Sequence, residues 1–501
     1  MRRRDLLLGG AAGAGGLLLG GRAWAARSWG EAPAGHADLV LPRGERAERC
    51  LEVFLYGGLG PFESFYVVPE YGRPQDPDFP DQQWWLFAND HEQTFTGCGL
   101  PDRASWLEPF GADALGRTVQ LGPVVQAFRD RPDLLARMRI VVMGHELEPH
   151  EAAIPYSLSG YRLGNPRMAG TAAHLQRYFQ ERDGARSTPY AYTFTPLTEL
   201  STDNLRAANA VGMHPGSTRP LGLKIGLSNT FSAQLERARV GDRRAAVDEL
   251  RAHLLARAED RYTDPAGAAL RSRALADHAY AVGALADADA LSQVLTPDLF
   301  TVADSSWCGS RPSFDLTTTS LHAAVSLLTH PTEPARYALV VDGGLIPAAG
   351  GGALDTHEGH LETHARNLGH TLRALAARIN APGESDPAKV SLDDTLVAIT
   401  TDFGRTPFRQ DGSRSGTNHH PYGYVQVLLG GPVRSGVSGA IGPDGVAAVH
   451  STPGELRVGM LAAMGLWPFA GESFAVGDVR GVGSEAEAQE LVMSTVLGVA
   501  P

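Results

Sequence analysis

The chain has 501 residues, 43% apolar and 20% charged, with 44 Lys+Arg against 56 Asp+Glu for a formal net charge of −12. These values exclude a collagen-like, coiled-coil or wholly disordered chain, three cysteines exclude a disulfide-built scaffold, and the acidic balance argues against a nucleic-acid partner, which needs a basic face. Seventeen histidines are the composition feature that raises a chemical question.

Arg2-Arg3-Arg4-Asp5-Leu6-Leu7-Leu8 opens the chain, a weakly apolar stretch diluted by glycine runs from 6 to 21, and Ala23-Trp24-Ala25 follows. A basic start, a short apolar run and a small-x-small site are the three parts of an export signal. The paired arginines before Asp-Leu-Leu resemble a twin-arginine signal, so the twin-arginine (Tat) export machinery is the expected partner of this leader. The apolar run falls short of the ~20 residues that span a bilayer. The expectation is a leader over 1–25, a periplasmic or secreted protein and no permanent membrane span. Without residues 1–25 the chain keeps 40 Lys+Arg against 55 Asp+Glu, a net charge of −15.

Residues 26–46, rich in Gly, Pro, Ala and Arg, read as a linker, and 47–501 as one domain. Leu51 to Tyr56 reads as a buried strand running into Gly57-Gly58. A helical stretch over about 121–137 precedes a second apolar strand, Arg139 to Gly144. Further strands are expected at Tyr337–Val341, Thr395–Thr400 and Tyr424–Leu429, with a helix over His357–Ile379 between them. Strands alternating with helices point to an α/β fold with a mainly parallel sheet covered on both faces. About 230–294, rich in Ala, Arg, Leu and Asp, reads as a helical insertion. Cys50, Cys98 and Cys308 lack metal-type spacing, and their pairing is open.

The densest chemical cluster is Asp355-Thr356-His357-Glu358-Gly359-His360-Leu361-Glu362-Thr363-His364, after the strand that ends at Asp342-Gly343-Gly344. A helix starting near His357 would place His357, His360 and His364 on one face with Asp355 near its N-cap. Carboxylate and imidazole at this spacing suit Zn²⁺ or a similar divalent ion; a solvated polar helix start is the plainer alternative. Asp402-Phe403-Gly404-Arg405-Thr406 follows the strand Thr395–Thr400, offering a carboxylate and a guanidinium at a strand's carboxyl end. Gly416-Thr417-Asn418-His419-His420-Pro421 comes next, and adjacent histidines point apart, so only one of the pair is expected as a ligand. His150, after the second strand, is a further candidate for the same pocket. Neither a Gly-x-Ser-x-Gly elbow nor a Gly-x-x-x-x-Gly-Lys loop occurs, which disfavours serine α/β-hydrolases and P-loop enzymes.

Four stretches together resemble the exported bacterial family DUF1501, assigned to the alkaline phosphatase-like (sulfatase-like) superfamily. Its Trp-Asp-Thr-His pattern stands here as Leu354-Asp355-Thr356-His357, its Glu-Phe-Gly-Arg as Asp402-Phe403-Gly404-Arg405, and its Gly-x-Asp-His as Gly416-Thr417-Asn418-His419. Gly57-Gly58 and Phe62-Glu63-Ser64-Phe65 resemble its opening Gly-Gly and Asp-Thr-Phe segment. The resemblance implies a three-layer α/β/α, alkaline phosphatase-like domain whose strand ends hold one or two divalent metals. On it, Asp355, His357, Asp402, His419 and Glu63 are the expected metal ligands, Ser64 the expected nucleophile, and Arg405 the group that holds an anion or orients the site. The function this implies is metal-dependent hydrolysis of phosphate or sulfate esters, with zinc as the candidate metal and an anionic ester as the small-molecule partner. The competing reading is a non-catalytic exported binding or assembly protein that keeps the fold.

Overall fold

Leu51 to Leu55 are buried without interruption, as a strand covered on both faces must be, and Arg49–Leu55 forms the central strand β1. The computed structural model describes residues 29–71, 106–183 except 166, 188–196, 220–225, 244–262, 315–345, 354–410, 415–469 and 473–500, with a few positions between 84 and 98 and between 294 and 308. The leader over 1–25 lies outside the described residues, as does most of 230–294, of which the helix Arg244–Tyr262 is described.

Seven more strands join β1: Met138–Met143 (β2), Ala191–Pro196 (β3), Leu221–Ile225 (β4), Tyr337–Asp342 (β5), Thr395–Thr401 (β6), Tyr424–Leu429 (β7) and Gly436–Ser438 (β8). They form a sheet in the order β8-β2-β7-β6-β1-β5-β3-β4. Strands β6, β1, β5, β3 and β4 are parallel, as are β8 and β2, while β7 is antiparallel to both neighbours. The sheet is therefore mixed and mostly parallel, and an α/β architecture follows.

Side chains alternate across β1. Leu51, Val53 and Leu55 enter one core, with Leu321 and Val325 of helix Leu316–Leu328 and Leu368 and Leu372 of helix His360–Ala376. Cys50 and Phe54 enter the other, with Ile154 and Leu158 of His150–Ser159, Leu175 and Phe179 of Thr171–Asp183, and Leu456 and Met460 of Pro453–Ala463. In chain order these helices are α1 (His150–Ser159), α2 (Thr171–Asp183), α3 (Leu316–Leu328), α4 (His360–Ala376) and α5 (Pro453–Ala463). A capping box fixes the start of α5, Thr452 accepting from Glu455 N and Glu455 from Thr452 N, with Pro453 in the first turn.

Two elements differ from the sequence expectation. The stretch 121–137 divides into a 3-10 turn, Pro123–Val125, and two short helical turns, Gln126–Arg129 and Pro132–Leu135, because Pro132 has no N–H to continue the ladder. Helix α4 begins at His360 rather than near His357, since Gly359 before it takes φ +60. His357 thus lies in the loop ahead of the helix, and Asp355 does not cap it.

Within the stretch read as a linker, residues of 29–46 pack on the domain: Leu39 and Leu41 join the second core, Trp29 is buried and donates from its indole nitrogen to His174 O at 3.2 Å, and Trp467 N donates to Gly30 O at 2.8 Å. Cys98 and Cys308 form a disulfide, and Cys50 is free and buried. Among the described residues no helix is long and apolar enough to cross a membrane.

Candidate metal centre

Seven strands of the sheet point the same way, so the loops leaving β1, β2, β5 and β6 gather at one edge. The reversed β7 reaches that edge with its amino end, pairing Tyr424 with Met143. The segment entering β7 therefore arrives beside the loop leaving β2, where His145 N donates to Pro421 O at 2.8 Å. A two-residue ladder then sets His419 opposite Arg405.

Gly57 and Gly58 follow β1 with φ of +106 and +107. A Cβ on Gly57 would lie 2.3 Å from Asp355 N, and one on Gly58 2.7 Å from Arg405 Cδ. Positive φ and the missing side chains together let Asp355 and Arg405 lie against this turn.

Asp355 is the hub of the edge. Its Oδ1 lies 3.0 Å from Arg405 Nη1, 3.0 Å from His357 Nε2 and 3.3 Å from His419 Nε2, and its Oδ2 lies 3.5 Å from His150 Nε2. His150, Asp355 and His419 each bring a ligand-type atom within 4.8 Å of the others. Behind His150, Asp402 Oδ2 lies 2.5 Å from Nδ1 and takes its proton in a hydrogen bond, while Asp402 Oδ1 accepts from Phe403 N at 3.2 Å. With Nδ1–H given to Asp402, it is Nε2 that faces Asp355, and a cation bound there would displace the proton that the two carboxylates hold on that nitrogen. Asp355 and His150 are nearly buried, whereas the His357 and His419 side chains keep 33% and 20% exposure, so the group opens to solvent on their side.

The electrostatics follow from the packing. Burial opposes the Asp355 charge, but the hydrogen bonds of His150 and His419 and the Arg405 guanidinium outweigh it and hold the carboxyl well below the usual carboxylate range. Burial disfavours the His150 imidazolium, yet the Asp402 and Asp355 carboxylates prevail and push its pKa up to about 9. Arg405 is fully buried; it donates from Nε to Thr417 Oγ1 (3.1 Å), from Nη2 to Thr417 O (2.7 Å), and from Nη1 to Gly57 O (3.3 Å) and Asp355 Oδ1.

A second group lies beyond Thr417, whose Oγ1 is 3.2 Å from His360 Nδ1. Glu63, His360 and His364 are all buried and bring ligand-type atoms within 4.8 Å of one another. Burial raises the Glu63 pKa, and burial together with His360 pushes that of His364 down to about 3.

Of the residues expected from sequence, Asp355, His357, His419 and Arg405 meet in the first group, and Asp402 joins it through His150. Glu63 instead sits with His360 and His364. Ser64, beside it, is buried and donates from Oγ to Gly60 O at 2.5 Å. Gln410 was not anticipated: its Oε1 lies 3.0 Å from His357 Nδ1, and its Nε2 donates to His357 O at 3.1 Å. Nothing local marks Gln410, Thr356 or Thr417, which act through partners distant in sequence.

Residues 339–468 match the family model described as "Protein of unknown function (DUF1501)". This stretch is similar to that family. It carries Asp355, His357, His360, His364, Asp402, Arg405 and His419, while His150 and Glu63 come from outside it. Three of the stretches that carry the motif resemblance lie within the match, and the one over Gly57-Gly58 and Phe62–Phe65 lies outside it. No curated protein matches the chain.

Proposed function

We propose that the protein is an exported, metal-dependent hydrolase of anionic esters, phosphate or sulfate, on an alkaline phosphatase-like α/β/α scaffold. The observation that carries the reading is the convergence of His150, Asp355 and His419, whose ligand-type atoms lie within 4.8 Å of one another, with His150 braced from behind by Asp402. One carboxylate with two imidazoles fits zinc or a similar borderline ion, which would take the place of the proton on His150 Nε2.

A divalent ion on His150, Asp355 and His419 would polarise an ester oxygen and acidify a water there. The chain's own residues do the rest. Asp402 holds the proton on His150 Nδ1. Arg405 fixes Asp355, Gly57 and Thr417 relative to one another, the orienting role, since its hydrogen bonds are spent on the protein. His357, aligned by Gln410 at the solvent side, is placed to exchange a proton with a bound ester. Ser64 remains the proposed nucleophile only in a state where its hydroxyl leaves Gly60 O.

Export rests on the leader motif, the proposed address read by the twin-arginine machinery, which places the mature chain in the periplasm or outside the cell. The Cys98–Cys308 disulfide supports an oxidising compartment.

The test is zinc loading of the full chain followed by turnover assays on aryl phosphate and aryl sulfate esters. One ester class should be hydrolysed, with Asp355→Asn lowering the rate by about 10²–10³-fold and Asp402→Asn weakening metal affinity by about 10–100-fold. Stoichiometric metal with neither ester hydrolysed would overturn the reading in favour of a non-catalytic binding or assembly protein.

A further inference from the structure

The Asp355 group opens to solvent, but the Glu63 group does not. The side chains of Glu63, His360 and His364 are 2%, 1% and 0% exposed. Glu63 Oε1 lies 2.9 Å from His360 Nε2 and 3.7 Å from His364 Nε2, and it is buried with no hydrogen-bond partner. A buried carboxylate oxygen without a hydrogen bond is costly unless a cation or a donor meets it.

Both imidazoles are held so that Nε2 faces the carboxylate. Thr356 Oγ1 lies 2.7 Å from His360 Nδ1, and His360 O lies 3.2 Å from His364 Nδ1, where it can only accept. For His364 the carbonyl fixes the tautomer whose Nε2 carries the lone pair, the arrangement that orients histidine ligands of metals, and the Thr356 hydroxyl can accept from His360 Nδ1 in the same tautomer. The i,i+4 spacing in the first turns of α4 brings the two rings onto one face, with centroids 4.2 Å apart. Space for the carboxylate comes from Gly60: a Cβ there would stand 1.9 Å from Glu63 Oε1 and 3.0 Å from His360 Cε1.

We propose that Glu63, His360 and His364 form a second, closed cation site that takes Zn²⁺ or a similar divalent ion and pins the Pro61–Glu63 turn to the start of α4. One carboxylate oxygen and two imidazole nitrogens suit zinc. The ion would satisfy Glu63 Oε1 and take the lone pair of His364 Nε2, to which Gly60 N now donates at 3.0 Å. Full enclosure makes this a structural site, because no face is left for a substrate. It stands on its own residues, whether or not the Asp355 group hydrolyses esters.

The test uses the full chain loaded with zinc alone. Anomalous diffraction at the zinc edge should show a peak bounded by Glu63, His360 and His364, with bonds of about 2.0–2.2 Å. Metal analysis should lose one equivalent in Glu63→Gln and a different one in Asp355→Asn. Complete chelation should then lower the melting temperature of Asp355→Asn further, and leave that of Glu63→Gln unmoved by the closed site. Absence of the peak in the zinc-loaded wild type overturns the proposal, even if Glu63→Gln fails to fold. A peak without ester hydrolysis sinks only the hydrolase reading, and hydrolysis without the peak sinks only this one.

Discussion

At the scale of single residues, the site depends on side chains that are missing as much as on those present. Gly57 has φ +106, and a Cβ would fall 2.3 Å from the amide nitrogen of Asp355. Gly57→Ala meets two penalties: a left-handed conformation costing an L residue roughly 1–2 kcal/mol, and a collision with backbone costing about 1–3 kcal/mol more. The expected outcome is a loss of about 2–5 kcal/mol in denaturant unfolding, together with weakened metal uptake by the Asp355 group. Unchanged stability with unchanged metal content would mean that Asp355 does not depend on this contact. Asp402 shows a different residue-scale point. A carboxylate that braces a histidine and one that binds the ion directly look alike in sequence, and only the 2.5 Å contact with His150 Nδ1, 252 positions away, separates them.

At the scale of elements, a buried ion pair joins the central strand to a covering helix. Arg457 of α5 donates from Nη1 to Glu52 Oε2 and from Nη2 to Glu52 Oε1, each at 2.7 Å, and Thr400 Oγ1 donates to Glu52 Oε1 at 2.5 Å. The Tyr337 hydroxyl donates to Glu52 as well. Burial opposes the Glu52 charge, but Arg457 and these hydroxyls outweigh it and lower the pKa. A carboxyl depressed on folding adds stability that is fully present above its unfolded pKa of about 4.3 and is lost as pH falls through the lower folded value. Glu52→Gln should cost about 3–5 kcal/mol at pH 7, because Arg457 stays buried without its counter-charge, and should flatten the acid side of the stability profile. Replacing both partners, Glu52→Leu with Arg457→Met, should recover most of that loss. Urea midpoints between pH 3 and 7 check both; a double variant as unstable as the single one would show that the pair itself supplies the stability. The strand at the heart of this network was readable as an apolar run, as were β2, β5, β6 and β7. The direction of β7 was not, since a strand buried on both faces has the same local pattern whichever way it runs. That reversal delivers His419 from an amino end rather than a carboxyl end. The start of α4 was misplaced because the helical spacing of the histidines extends back to His357, while Gly359 in the left-handed region breaks the helix there.

At the scale of the whole molecule, the main sheet of eight strands carries a core on each face, and a covalent tie adds to the packing. Cys98, partly buried against the first core, is joined to Cys308 across 210 residues. The three cysteines allowed three single pairings, and sequence spacing could not choose among them. Packing chooses: Cys50 is on β1 and fully buried in the opposite core. A cross-link over so long a loop restricts the unfolded chain strongly, and its loss typically costs about 2–4 kcal/mol. The protein isolated from an oxidising compartment should therefore show one reactive thiol in denaturant, Cys50, and three after reduction. Reductant should lower its melting temperature, and Cys98→Ser with Cys308→Ser should have the lower melting temperature from the outset and no further response to reductant. Because neither cysteine contacts the Asp355 group, zinc uptake by the folded double variant should match that of the parent. Three reactive thiols before reduction would remove the cross-link, and with it the structural support for an oxidising destination.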